Sequence, residues 1–142
     1  MKKAIAVATV LLGTAVGPAA LAASDVFTPV AAPQMVSDLI LYPGAARLVE
    51  PKQKAKVDAS VTKIFGAFNI KCSSIEEIFW STKTPQEKVL TGFKVQMDKL
   101  KYTYEVVQRI KTGSVIKINA GKQQLHGLWD YSAKTTMLAL CK

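Results

Sequence analysis

The sequence predicts an α+β domain, an antiparallel meander of four to five strands packed against one well-capped helix, with a second helix candidate ahead of it. Three observations carry this. Thr84-Pro85-Gln86-Glu87 has helix start signals: a hydroxyl N-cap, proline at the first helical position and an acid closing a capping box. Beyond Leu100 the apolar period changes from the helical 3.6 to the strand's 2. The runs that follow are separated by turn signals at 111–114, 119–122 and 132–134, as in consecutive hairpins.

In chain order, Lys2 and Lys3, an apolar run over 4–16, and the small-x-small triplet Ala20-Leu21-Ala22 make a cleavable export signal ending at Ala22. The run is shorter than the roughly 20 residues needed to span a bilayer, so no stable membrane anchor is expected after cleavage. A periplasmic or secreted location follows. Residues 1–22 are thus set aside from the fold, 23–37 read as an extended linker with Pro29 and Pro33 and no periodicity, and 38–142 as a single domain.

Within that domain, Pro43 and Gly44 mark a tight turn and a short strand is expected over 46–49. Val57, Val61, Ile64, Phe65 and Phe68 fall at helical spacing, which gives the second helix candidate. Residues 72–82 fit a capped helix through Ser73 and Glu76 or a strand through Ile78-Phe79-Trp80, and strand is favoured. The capped helix should bury Val89, Leu90, Phe93, Met97 and Leu100. Strands are expected over 102–110, 115–119, 124–131 and 135–141.

Cys72 and Cys141 are the only cysteines, and an exported chain most simply pairs them. The bond would close a loop of about 70 residues and contribute about 4 kcal/mol by chain entropy.

Tyr42-Pro43-Gly44-Ala45, followed by a strand, a helix and several antiparallel strands over 81–140, resembles small exported bacterial α+β domains with a Tyr-Pro-Gly-Ala turn, mostly of unknown function. The stretch 51–71 departs from that pattern as an inserted helix. The resemblance implies a fold rather than a catalytic residue.

The residues offer no catalytic constellation. His126 is the sole histidine, and Asp130 would lie about 13 Å along the same strand face, beyond hydrogen-bond reach. A small hydrolase would have to centre on His126 and Asp130 with a hydroxyl such as Ser132. Glu76 and Glu77 are neighbours on a strand, so they point to opposite faces and cannot flank one bond. No metal-ligand spacing and no complete phosphate-loop pattern is present, so no metal or cofactor is expected.

Two surface features remain. The net charge is +9, and +7 once Lys2 and Lys3 leave with the signal, which suits polyanions; the charge is scattered lysine, with Arg47 and Arg109 the only arginines. Tyr102 and Tyr104, and Trp129 and Tyr131, pair on strand faces and make either a flat aromatic binding face or core beneath the helix. The expected function is a non-enzymatic, disulfide-stabilised binding or accessory protein of the cell envelope, its partner an anionic envelope component or another exported protein. Polyanion binding through the basic surface is the alternative.

Overall fold

The computed structural model describes residues 24–131 and 135–142; the expected export signal, and Ser132 with its turn, lie outside the described residues. Seven strands and two helices are present among them: β1 (Phe27–Pro29), β2 (Ala46–Leu48), α1 (Pro51–Gly66), β3 (Ile75–Trp80), α2 (Gln86–Leu100), β4 (Thr103–Ile110), β5 (Gly113–Ala120), β6 (Gln123–Asp130) and β7 (Thr136–Cys141). The strands form one antiparallel sheet in the order β1-β2-β3-β7-β6-β5-β4.

The α+β class stands, but the architecture differs from the expected meander of four to five strands under one helix. The meander β4 to β7 is only part of the sheet. β3 pairs along the whole of β7, from Ile75 opposite Cys141 to Trp80 opposite Thr136, and β2 and β1 extend the sheet beyond it. β7 is therefore central and buried along its length, which explains its nearly unbroken apolar run.

Helices cover both faces. On one, Val89, Phe93 and Met97 of α2 pack on Ile78, Trp80, Ile116, Ile118, Leu138 and Leu140; on the other, Val61 and Phe65 of α1 pack on Val115, Leu128, Met137, Ala139 and Cys141. Strand alternation sorts the residues, so Met137, Ala139 and Cys141 meet α1 while Leu138 and Leu140 meet α2.

The segment expected as a linker joins the fold. β1 pairs with β2, and Val26 and Val36 are buried, because both Gln34 and Met35 donate backbone N–H bonds to the Glu76 carboxylate, at 2.8 and 3.1 Å. The helix starts also differ from expectation. Pro85, not Thr84, is the N-cap of α2, and no side-chain cap bond forms there. It is α1 that has one: Glu50 accepts from the Gln53 amide at 2.7 Å, with Pro51 opening the helix.

Two glycines are required by geometry. Gly44 sits at φ +98° in the Tyr42–Ala45 turn, whose Tyr42 carbonyl accepts the Trp80 indole N–H at 2.8 Å. At Gly113 a Cβ would stand 1.8 Å from the Trp129 carbonyl oxygen, so no other residue fits where the start of β5 pairs with the end of β6. The outer edge of β4 is blunted by a bulge between Val106 and Gln108 and by Glu105 and Arg109, devices that discourage edge pairing.

Candidate functional site

The aromatic residues singled out in the sequence lie on the α2 face. Trp129 is 3% exposed and meets Phe93 edge-on at 5.3 Å; Tyr131 stacks on Trp129 at 6.5 Å, and Tyr104 packs edge-on against Phe93 at 5.3 Å. Tyr102 packs at the margin of the same cluster and donates its hydroxyl to Asp38. They floor the α2 core instead of forming a free platform, because the helix sits where the open face was needed.

His126 and Asp130 share the other face of β6 with Leu128 buried between them, so strand geometry keeps them apart. Across the sheet His126 faces Lys117 and Cys141, and burial together with the Lys117 charge holds its pKa below the usual value. A lysine beside the ring is the opposite of the carboxylate that would orient a catalytic histidine. Among the described residues no group of three or more metal-ligating side chains comes together.

Cys72 and Cys141 are joined in a disulfide. The bond ties the end of β7 to the turn before β3, where Lys142 exchanges backbone hydrogen bonds with Ser73 and Ser74. A stable disulfide indicates an oxidising location outside the cytoplasm.

The two adjacent glutamates separate as strand parity requires. Glu76, on the α2 side, accepts from the Arg47 Nε at 3.0 Å as well as from Gln34 and Met35. Glu77, on the α1 side, has no solvent exposure and receives the Lys54 ammonium at 2.9 Å on Oε1, while its Oε2 has no hydrogen-bond partner. Lys54 also reaches Asp58 at 3.0 Å and the Ile75 carbonyl at 2.9 Å. Burial pushes the Glu77 carboxyl up to about 7, reinforced by Asp58 and opposed by Lys54. Burial works against the charge on Lys54 and Asp58 too, but their mutual pairing and Glu77 prevail, raising the ammonium pKa and lowering that of Asp58.

Beside this cluster, between α1 and the sheet, lies a cleft of about 260 Å³. Val57, Val61 and Ile64 form its helix wall, Phe79, Leu128 and Met137 its sheet wall, and Lys56, Ser60, Asp130 and Thr135 add polar groups. It exists because α1 buries only Val61 and Phe65 and leaves Val57 and Ile64 partly uncovered. A wider and more open hollow of about 420 Å³ lies at the start of α2, lined by hydroxyl side chains including Thr82, Tyr131 and Thr136.

The cleft was not legible in the sequence. Its helix wall coincides with the predicted apolar stripe, yet an apolar stripe signals burial and cannot show that burial is incomplete. No family model, curated protein or solved structure matches the chain, so the site must be read from its own geometry.

Proposed function

We propose that this is an exported, disulfide-stabilised, non-enzymatic binding protein of the cell envelope, whose ligand is a small molecule with an apolar body held in the cleft between α1 and the sheet. The observation that carries this reading is the cleft itself, an apolar hollow with a few polar groups in a protein that otherwise covers both sheet faces. At about 260 Å³ it falls just under the roughly 300 Å³ at which drug-sized pockets begin, so the ligand is a compact one. The disulfide, the amino-terminal signal pattern and the resemblance to small exported bacterial domains support export.

Titration of the purified protein with N-phenyl-1-naphthylamine, a neutral apolar fluorophore, tests the reading. Saturable fluorescence enhancement is expected, and Ser60→Trp, an exposed position on the cleft wall, should abolish it while leaving the thermal transition in place. Absence of saturable binding, or binding indifferent to Ser60→Trp, defeats the proposal.

One observation favours a second reading, polyanion binding. α1 exposes Lys52, Lys56 and Lys63 to solvent, while Asp58, the only acid on that helix, is already paired with Lys54. Such a surface would bind heparin with an affinity that falls steeply as salt rises; salt-insensitive binding would count against it.

A further inference from the structure

Lys54, Asp58 and Glu77 connect α1 to β3 next to the cleft: Val57 precedes Asp58 on the helix, and Phe79 follows Glu77 by two residues on the same strand face, both lining the hollow. We propose that this cluster is a proton-governed latch on α1, closed when Glu77 carries a proton and released when Glu77 is ionised, and that release admits the apolar ligand to the cleft. The inference rests on the cleft reading above and adds its regulation.

The geometry sets the direction. Glu77 is fully buried, one carboxyl oxygen is occupied by Lys54, and the other has no partner. A neutral carboxyl tolerates that position and its O–H can turn towards Asp58. An ionised one leaves a buried charge half-compensated, with two carboxylates competing for one ammonium. The strain of the ionised state falls on the contact between α1 and β3, and α1 is the weaker-anchored partner, with Val61 and Phe65 its only buried residues.

The surroundings add no competing switch. On β7, Ala139 lies opposite Glu77 and brings no charge. Arg47 on β2 is committed to Glu76 on the other sheet face. On β6, His126 faces the α1 side, next to Lys117 of β5, but burial and the Lys117 charge hold its pKa below the ordinary value. Lys54 is shifted upward and Asp58 downward, so both remain charged near neutrality, which leaves Glu77, at about 7, as the member that changes state there.

Amide hydrogen exchange of the purified protein at pH 5.5 and 8.5, corrected for intrinsic rates, reads the latch directly. Protection in the first two turns of α1 should fall by about tenfold at the higher pH while α2 is unchanged, and N-phenyl-1-naphthylamine affinity should rise in parallel. Glu77→Gln, which keeps an oxygen for Lys54 but cannot ionise, should remove both differences. If that variant does not fold, Asp58→Asn serves in its place: losing the second carboxylate should move the transition to lower pH, and an unmoved transition overturns the latch. Equal α1 protection at both pH values, with probe bound equally, likewise overturns the latch and leaves the cleft reading intact. An α1 that loosens as expected but takes up no probe at either pH defeats the cleft reading instead.

Discussion

The two faces of the sheet are built to different standards. Under α2, sixteen buried residues interlock, with Trp129 in ring contact with both Trp80 and Phe93 and the Trp80 indole bonded to the Tyr42 carbonyl. Under α1, seven buried residues share the face with an ion cluster, a disulfide and a cleft. Apolar burial is concentrated on one side, and the titratable cluster and the cleft lie on the other. A close-packed aromatic core has one arrangement, whereas a helix held by few side chains and a titratable cluster can have more than one.

The sharpest way to break this comparison is to truncate a large side chain on each face. Trp80→Ala removes a fully buried indole and leaves the Tyr42 carbonyl without its donor, and should cost about 5 kcal/mol in denaturant unfolding. Phe65→Ala, equally buried under α1, should cost about 3 kcal/mol. Equal losses would mean that the faces are energetically alike.

Next in size is the disulfide. It closes a loop of 69 residues and is the one covalent tie on the weaker face, so replacing Cys72 and Cys141 together with serine should cost about 3 to 4 kcal/mol. The loss should show as lower exchange protection in β7 and β3 ahead of α2. A change below about 1 kcal/mol would place the stability of that face elsewhere.

How much of this was legible in the sequence follows the same division. The buried stripe of α2 and the four runs of the meander were readable because their signals are local: a 3.6 period over fifteen residues, then a period of 2 between turn residues. β1 was not, since three residues ending in Pro29 carry no period and become a strand only because β2 is there to pair with. Thr84 and Glu87 have capping spacing, but Pro85 stays extended at ψ 126° and delays the helix by a residue. Parity correctly separated Glu76 from Glu77. What each glutamate bonds comes from residues 23 to 42 positions away, beyond any window that a local reading can use. For the aromatics, parity grouped Trp129 with Tyr131 but could not say that α2 would lie over them.

Smaller again is the pH dependence. Because the folded-state pKa of Glu77 is raised from 4.5 to about 7, the native protein holds its proton more tightly than the unfolded chain does. That contribution is fully present below about pH 4.5 and is lost as pH rises to about 7, so stability should decline across this window and level off above it. Asp58 runs the other way, with a depressed pKa whose contribution is lost only in acid, below the window. Glu77→Gln should flatten the decline between pH 5 and 7 in chemical denaturation. A wild-type curve that rises through that range would reverse the assignment.

The smallest expected effect separates the two helices at their starts. Glu50 caps α1 through the Gln53 amide and places an anion at the positive end of the helix, whereas α2 begins at Pro85 with no side-chain bond at its cap. Glu50→Ala should therefore cost about 1 kcal/mol, with the lost protection confined to the first turn of α1. The reason it should stay confined is that the buried apolar contacts of α1, Val61 and Phe65, lie two turns or more downstream, and the Lys54 ammonium remains held at Glu77 and the Ile75 carbonyl, so fraying at Pro51 does not disturb them. Exchange in α2 that accelerates equally in this variant would show the two faces opening as one cooperative unit, and the division of labour between them would fail.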